Sequence, residues 1–500
     1  MGFSSEQTPA ANSPLTPSSL DGKQAMLIGL AIFLLNMGLK MLFLDSQAIA
    51  NDEPFTLFWA QKPLSDIWAL AKNENNPPLH FIIQHFLLKW FGWSVASIRF
   101  PSLVFSSLGA MVLFRSGNRH FGLFAGILAA LMFTLSTEHI LYSHEARTYT
   151  LLSLLSIAAI DRYLRLAKSP NDWKNYALLG LFNVLLIYSH FLGIWVLLSQ
   201  VLLWPLMPNR KATFKGLLLM FVGVGLAYAP NLYAFYLRLQ SVAGAATWVP
   251  KPHWRQIYGH INIFLNGPVG TICLAIPVLF GLSWMLIGKK NRTENLNALK
   301  VHKTLLITGA MFVLIYGGIY IQSLVFTPAF IPRYLIFVSM PFFLAIAGLI
   351  DFMIEGVKIR IGILVLIIGG LLAGFQLDPG NFRDLKGLTT YIQSEKIGDT
   401  PLIICPEYLD KAYVFHADLA LFQNYERFTE ACIEKHIYGI GGISKIPKEV
   451  LENSTKIIYL DADAKAVYPT NGVLEGLRAK YSNERHQHFE QIFDVYVFTR

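Results

Sequence analysis

The sequence contains few charged residues for its length. Only 15% of its 500 residues are Asp, Glu, Lys or Arg, whereas 54% are hydrophobic. A soluble protein of this size could not hide so much apolar surface in one core. The net charge of +9 does not indicate nucleic acid, because the basic residues lie in short loops between apolar runs. The composition therefore predicts a polytopic membrane protein with no nucleic-acid partner.

Cysteine is also scarce, which excludes a disulfide-rich scaffold and a cysteine-based metal site. The three cysteines, Cys273, Cys405 and Cys432, lie far apart and show no metal-ligand spacing. Two interpretations of Cys405 and Cys432 stay open. They form a disulfide if their domain is extracytoplasmic, or they are two buried free thiols.

Long apolar runs occupy most of the chain between residues 25 and 376. A helix needs roughly 20 apolar residues to cross a bilayer, so these runs predict about eleven transmembrane helices. The N-terminal residues 1–24 lack the basic region of a signal peptide and are predicted to form a cytoplasmic tail. The predicted spans are 25–44, 95–114, 121–142, 148–166, 175–189, 191–207, 216–237, 267–288, 304–326, 334–350 and 361–375.

The distribution of basic residues orients these spans. With the N-terminus inside, most Lys and Arg residues of the short loops fall on the cytoplasmic side. Basic clusters flank the run 175–207 on both sides, and the positive-inside rule places both clusters on the cytoplasmic face. The run must then cross the membrane an even number of times, so we divide it into two spans near His190. Residues 78–91 are apolar but short and carry polar side chains, which favours an interfacial helix.

The last part of the chain has a mixed, soluble composition. Residues 401–405 and 456–460 have the pattern of buried strands, and residues 382–393 and 472–480 have that of helices. We therefore expect residues 377–500 to form a small extracytoplasmic α/β domain after the transmembrane domain at 25–376.

Two adjacent acids, Asp52 and Glu53, follow the first apolar span. Carboxylates near lipid are costly unless they transfer protons, bind metal or recognise a polar headgroup. The parity of the predicted spans places them on the same face as Glu145, Arg147 and Arg333. This shared face predicts a functional site.

Several short motifs in this order resemble a known class of enzymes. They are Asp52-Glu53, Asn76-Pro77-Pro78-Leu79, Ile98-Arg99-Phe100-Pro101-Ser102, the Ser-His-Glu-Ala-Arg-x-Tyr run that ends at Tyr149, and Arg333-Tyr334. The sequence resembles the polytopic GT-C glycosyltransferases, and within them proteins related to protein O-mannosyltransferases and lipid A aminoarabinose transferases (families 39 and 83). The resemblance covers roughly residues 25–350 and is most specific between Asp52 and Tyr149.

The resemblance implies transfer of a sugar from a polyprenyl-phosphate donor to a lipid, glycan or protein acceptor. The reaction would take place at the extracytoplasmic face of the inner (plasma) membrane. Asp52 matches the catalytic acid of the family and is the candidate base, and Glu53 is expected to orient the catalytic site. Arg147 and Arg333 are the candidate ligands of the donor phosphate.

Other side chains of this face are expected to support the site. Whether a divalent metal takes part is left open, with His144 and Glu145 as its candidate ligands. The supporting residues are Glu145, His144, Tyr149 and His190.

Two other classes of function fit the same features. A transporter or flippase of a lipid-linked saccharide would also place acids and arginines near lipid, although such proteins carry ionisable groups near the bilayer midplane. A non-catalytic scaffold would use its outer domain to bind a partner. Asp461-Ala462-Asp463 imitates the Asp-x-Asp motif of nucleotide-sugar transferases, but its position after a strand favours a simple turn.

Overall fold

The computed structural model describes residue 20 and residues 22–50, 52–70, 76–242, 249–287, 296–379, 383–489 and 492–500. Of the predicted cytoplasmic tail, residues 1–19 and 21 lie outside the described residues. The first helix begins slightly earlier than expected, at Gly22.

Helices make up the first three quarters of the chain, as the apolar runs predict. They are α1 (Gly22–Met41), α2 (Glu53–Ala60), α3 (Leu64–Leu70), α4 (Leu79–Phe91), α5 (Val95–His120), α6 (Leu123–Thr134), α7 (Thr137–Ser143), α8 (Tyr149–Arg165), α9 (Trp173–Ser189), α10 (Ile194–Leu203), α11 (Arg210–Val242), α12 (Arg255–Phe264), α13 (Pro268–Ile287), α14 (Leu296–Val325), α15 (Pro332–Leu335), α16 (Ser339–Met353) and α17 (Val357–Leu372).

The predicted count of eleven transmembrane helices is not confirmed. Within the described residues, five helices are long and apolar enough to cross a membrane, or seven if each of two bent helix pairs is one span. The bent pairs are α6 with α7, at 60°, and α12 with α13, at 90°. The remaining predicted spans coincide with α8, α9, α10 and α17, which have 17, 17, 10 and 16 residues. These four are short for a perpendicular crossing.

Two local boundaries in this region agree with the predictions, whereas the interfacial position of residues 78–91 and the two crossings within 175–207 stay predictions. The run 175–207 breaks at His190, whose extended backbone ends α9 before a short turn leads into α10. Residues 78–91 form a separate helix, α4, which starts after Pro78 and ends at Gly92. The side chains of α4 hold it to its neighbours, because Gln84 donates to Ile98 O at 3.1 Å and His85 donates to Ala60 O at 2.8 Å.

The long helix α5 lies at the centre of the helical part. It packs against α1, α6 and α8, and most of its small and apolar side chains are buried. Gly117 and Gly126 allow α5 and α6 to touch, since a Cβ added to Gly117 would lie 2.6 Å from Gly126 Cα. Because α5 has 26 residues, it extends through the helical part from one end to the other.

The C-terminal part is a compact α/β unit, as predicted. Strands β1 and β3 cover the predicted strand segments, and α18 and α24 cover the described part of the predicted helices. The elements are α18 (Leu385–Glu395), β1 (Leu402–Cys405), α19 (Asp410–Ala417), α20 (Leu419–Gln423), α21 (Phe428–Glu434), β2 (Ile437–Gly439), α22 (Lys448–Asn453), β3 (Lys456–Ala462), α23 (Ala464–Val467), α24 (Val473–Arg478), β4 (Asn483–Phe489) and β5 (Phe493–Thr499).

The sheet of this unit has the strand order β2-β1-β3-β5-β4. Strand β1 is parallel to β2 and β3, whereas β5 is antiparallel to β3 and β4. All three cysteines are free thiols, and Cys405 and Cys432 are buried, so the disulfide interpretation is wrong. Asp461 accepts from Ala464 N at 2.8 Å, which makes the Asp-x-Asp segment the turn that ends β3.

The α/β unit shares a hydrophobic core with α2 and the loop before it. Phe58 of α2 lies between Phe422 and Phe428, with ring centroids 5.8 and 4.7 Å away. Hydrogen bonds join the same surfaces, because His416 donates to Ile49 O at 2.7 Å and Gln61 donates to Phe422 O at 3.0 Å. The unit therefore sits directly against the segment that carries the two acids.

Candidate active site

The two adjacent acids at the start of α2 point in different directions. Asp52 is the residue before the helix, and its side chain is 43% exposed. Glu53 is the first helical residue and is buried. Successive residues of a helix are rotated by about 100°, so neighbours at its start face different surroundings.

The Glu53 carboxylate is fully engaged in structural contacts. It accepts from Arg99 Nε at 3.0 Å and from Arg99 Nη2 at 2.8 Å. It also accepts from the backbone N–H groups of Ala50, at 3.1 Å, and Ala146, at 2.8 Å. Four donors satisfy both oxygens, so the carboxylate joins the loop before α2 to the turn that contains Glu145. This geometry suits a positioning residue.

Asp52 faces two arginines instead. Its Oδ2 lies 3.2 Å from Arg333 Nη1 and 3.6 Å from Arg147 Nη2. Arg147 is also held by α2, because its Nη1 donates to Thr56 Oγ1 at 2.6 Å. Arg333 lies in the first turn of α15, and its side chain is 25% exposed. The structure thus brings together three of the predicted site residues.

The charge around Asp52 favours its ionised form. Burial raises the pKa of the Asp52 carboxyl, but the positive charges of Arg147, Arg333 and Arg383 outweigh this effect. The pKa of Asp52 therefore lies below its usual range. The carboxylate is charged at neutral pH, and the guanidinium groups leave an excess of positive charge beside it.

The turn that carries Glu145 and Arg147 is fixed by its backbone. Ser102 Oγ donates to Glu145 O at 2.6 Å, and His80 Nε2 donates to Ala146 O at 3.0 Å. These contacts, with the Ala146 N–H bond to Glu53, leave the Arg147 side chain directed at α2. The Asn-Pro-Pro-Leu segment supports the site here, because it precedes the helix that carries His80.

Glu145 has a different protonation behaviour from Asp52. Burial raises the pKa of Glu145 to about 7, and the nearby carboxylates of Glu53 and Asp52 add to the effect. A carboxyl group with this pKa exchanges its proton near neutral pH. The charge of Glu145 next to Arg147 and Arg333 is therefore sensitive to pH near neutrality, and its supporting role stays a prediction.

Aromatic rings form one wall of the site. The rings of Tyr149 and His190 lie 6.4 and 5.4 Å from the ring of Tyr334, by their centroids. The Arg147 and Arg333 guanidinium carbons lie 5.9 Å from the Tyr149 ring and 5.5 Å from the Tyr334 ring. Burial and the two arginines lower the pKa of His190 to about 3, so this ring is neutral.

One ring nitrogen of His144 is engaged in a backbone contact. Its Nε2 donates to Lys40 O at 2.7 Å, which ties the turn to the end of α1. In the part of the chain that the structure describes, no group of three or more His, Cys, Asp or Glu side chains is placed to hold a metal ion. The proposed pair of His144 and Glu145 as metal ligands stays a prediction.

Sequence reasoning missed two arginines that shape the site. Arg99 belongs to one of the quoted motifs, yet its five hydrogen bonds to Glu53 and to the carbonyls of Leu44, Gln47 and Ala48 are a tertiary feature. Arg383 comes from the α/β unit, and its charge acts on Asp52, Arg333 and Glu145. Only its position shortly after the last span marks it in the sequence.

Comparisons with known proteins identify a family whose model matches part of the chain. Residues 75–234, about a third of the chain, match the family model of dolichyl-phosphate-mannose-protein mannosyltransferases. The matched segment includes His144, Glu145, Arg147, Tyr149 and His190. No curated protein matches the chain by sequence.

Solved structures share the fold over nearly the whole chain. ArnT from Cupriavidus metallidurans, bound to undecaprenyl phosphate, is 11% identical with a TM-score of 0.55, and the alignment covers 95% of this chain and 97% of that one. Its apo state is 12% identical, with the same TM-score and coverage. The apo oligosaccharyltransferase of Archaeoglobus fulgidus is 9% identical with a TM-score of 0.49, over 95% of this chain and 74% of that one.

The chain therefore has the GT-C glycosyltransferase fold, and the resemblance seen in the sequence is confirmed. The family model and the apolar helices together indicate a membrane-embedded glycosyltransferase.

Proposed function

We propose that the protein transfers a sugar from a polyprenyl-phosphate donor to a hydroxyl group of a lipid, glycan or protein acceptor. The observation that carries the proposal is the half-exposed Asp52 carboxylate with Arg333 at 3.2 Å and Arg147 at 3.6 Å. One group of the site accepts a proton and the others bind a phosphate. A glycosyl transfer from a phosphate leaving group requires both.

The roles follow from the charges. The acceptor oxygen attacks the anomeric carbon and passes its proton to Asp52, while the bond from that carbon to the phosphate oxygen breaks. The departing polyprenyl phosphate keeps the electron pair, and Arg147 and Arg333 stabilise its charge through charge-assisted hydrogen bonds. Glu53 is proposed as a positioning residue, since its oxygens are already bonded.

Donor binding and base strength are linked in this arrangement. The arginines that bind the phosphate are the groups that hold the pKa of Asp52 low. When the phosphate takes up part of their charge, the pKa of Asp52 rises and the carboxylate becomes a better proton acceptor. The base is therefore activated when the donor is bound.

The sidedness is part of the same proposal. Asp52 and the α/β unit lie at one end of the bundle, and the arginines at the ends of α5 and α8 lie at the other. The positive-inside rule assigns the arginine-rich end to the cytoplasm. We therefore infer an extracytoplasmic site on the inner (plasma) membrane, with a transmembrane domain at 25–376 and the α/β domain at 377–500.

The Asp52→Asn variant tests the function. We expect the rate of polyprenyl phosphate release, measured by mass spectrometry on membranes supplied with lipid-linked sugars and cell-envelope acceptors, to fall by roughly 10²- to 10⁴-fold, the usual contribution of a general base. Asp45→Asn is the matched control, because Asp45 is exposed in the same loop. A correctly inserted Asp52→Asn protein with the wild-type rate would refute the assignment and favour a transporter or a scaffold.

A further inference from the structure

A second polar cluster lies at the end of the bundle opposite Asp52. The last turns of α5 and α8 and the middle of α9 enclose a cavity of about 160 Å³. Four arginines line it, together with apolar side chains. The residues that matter here are Arg115, Arg119, Arg162, Arg165, Val112 and Phe182.

The positive charge of this cavity is only partly balanced. Asp161 accepts from Arg119 at 3.0 Å and from Arg165 at 2.6 Å, and His120 Nε2 lies 3.1 Å from the same carboxylate. Arg115 and Arg162 have no hydrogen-bond or ion-pair partner for their side chains among the described residues. Four guanidinium groups thus share the cavity with one lining carboxylate, and the charge of Asp172 also acts on Arg162.

The cluster is separate from the proposed catalytic site. Arg99, which anchors the catalytic loop, lies in the first turns of α5, and Arg115 lies 16 residues further along the same helix. At a rise of 1.5 Å per residue, the two are about 24 Å apart along the helix axis. The cavity is therefore not part of the proposed catalytic site.

The lining indicates the chemistry of the ligand. Guanidinium groups form paired hydrogen bonds with phosphate oxygens, and two arginines here are available for such bonds. Val112 and Phe182 provide an apolar wall next to the charges, and the helices lie in a membrane. A basic pocket between membrane helices is a typical site for a lipid phosphate group. Ordinary basic residues of a membrane-facing loop would project into solvent without sharing a cavity.

We propose that this cavity binds the phosphate headgroup of an anionic membrane lipid. Arg115 and Arg162 contact the phosphate, while Arg119 and Arg165 stay paired with Asp161 and hold the site open. Val112 and Phe182 contact the first carbons of an acyl chain. The bound lipid fastens the ends of α5, α8 and α9 to one another.

The experiment compares lipid binding to three proteins by native mass spectrometry of the full chain in detergent. The probes are dioleoyl phosphatidylglycerol, dioleoyl phosphatidylcholine and inorganic phosphate. The test variant is Arg115→Gln/Arg162→Gln. The control is Lys211→Gln/Lys215→Gln, which removes two exposed charges from the start of α11, near the same end, as the 2.9 Å bond from Asn209 to Ala167 O shows.

We expect wild-type protein and the lysine control to bind one phosphatidylglycerol that an excess of phosphatidylcholine does not displace. The arginine variant should bind it roughly thirtyfold more weakly, as expected for the loss of two charges at a membrane surface. An equal loss of phosphatidylglycerol affinity in the arginine variant and the lysine control would overturn the proposal, since it would indicate a general charge effect. Displacement of the lipid by millimolar inorganic phosphate would also overturn it, because a free anion would then be the ligand.

The wild-type chain gives an independent measurement if the arginine variant does not fold. Equal affinity for phosphatidylglycerol and phosphatidylcholine would contradict an anionic lipid site. A clear preference for phosphatidylglycerol that persists at moderate salt would support it, since partly buried charges are screened less than exposed ones.

Discussion

At the scale of single residues, the adjacent acids Asp52 and Glu53 have different roles in the proposed site. Glu53 is buried with four donors around its carboxylate, and Asp52 is half exposed between arginines. The sequence predicted Asp52 as the candidate base and Glu53 as a residue that orients the site. It had no means of finding Arg99, because the partner of Glu53 is 46 residues away.

Arg333 is one of the charges that lower the pKa of Asp52, so its removal should be visible in a pH profile. In Arg333→Gln the pKa of Asp52 rises, because one of the charges that lower it is lost. A base works only when it is deprotonated, so the acidic limb of kcat/KM should move to higher pH. The measurement is the rate of sugar transfer as a function of pH.

The conservative variant separates this effect from a loss of donor binding. Arg333→Lys keeps the positive charge, and its acidic limb should stay close to that of the wild type, although Lys binds phosphate less specifically. If Arg333→Gln lowers the rate equally at all pH values, Arg333 does not control the protonation of Asp52.

At the scale of elements, Arg99 joins the loop before α2 to the central helix α5. Besides Glu53, it donates to the carbonyls of Leu44, Gln47 and Ala48 at 2.9 to 3.0 Å. Ala146 N–H bonds to the same Glu53 carboxylate. One buried ion pair therefore positions both segments that carry the proposed catalytic groups.

Arg99→Ala should destabilise the protein strongly. It leaves the Glu53 carboxylate buried without its counter-ion, which typically costs about 3 to 5 kcal/mol. The measurement is the thermal unfolding of the purified protein. Arg210→Ala is the control, because Arg210 is exposed and, within the described residues, its side chain makes one hydrogen bond, at 3.5 Å to Pro205 O. The Arg99→Ala/Glu53→Ala double variant should lose less free energy of unfolding than the two single variants lose together. Strict additivity of these losses would contradict a coupled pair.

The helical elements were predictable from hydropathy, whereas their bends were not. The apolar run 121–142 is broken between α6 and α7, and α12 meets α13 at a right angle. Asn266 fixes both bends, because its side chain bonds to Leu135 O, Thr137 N and Leu371 O. A hydropathy pattern records how apolar a segment is and contains no information on such long-range bonds.

At the scale of the whole molecule, the α/β unit forms part of the site region. Its phenylalanines enclose Phe58 of α2, and its Arg383 contributes positive charge to the Asp52 site. The composition of residues 377–500 predicted a small α/β domain, and its first strand and helix patterns were found in the structure. The docking against α2 could not be predicted, because it depends on surface shape and on rings that are distant in sequence.

Arg383 offers a direct test of whether the α/β unit takes part in transfer. Its charge acts on Asp52, Arg333 and Glu145, so it adds to the positive charge at the proposed donor site. Arg383→Gln should therefore weaken binding of the donor. We expect kcat/KM to fall by roughly ten- to a hundredfold, the range for one charged hydrogen bond. Lys386→Gln is the matched control, because Lys386 is exposed on α18, three residues further along the chain.

The separation of KM from kcat decides how Arg383 acts. A higher KM for the donor at unchanged kcat indicates that Arg383 binds the phosphate equally in the ground state and the transition state. A lower kcat indicates that it stabilises the charge that develops as the bond breaks. If both constants match those of Lys386→Gln, the α/β unit only covers α2, and the catalytic site is built by the helical part alone.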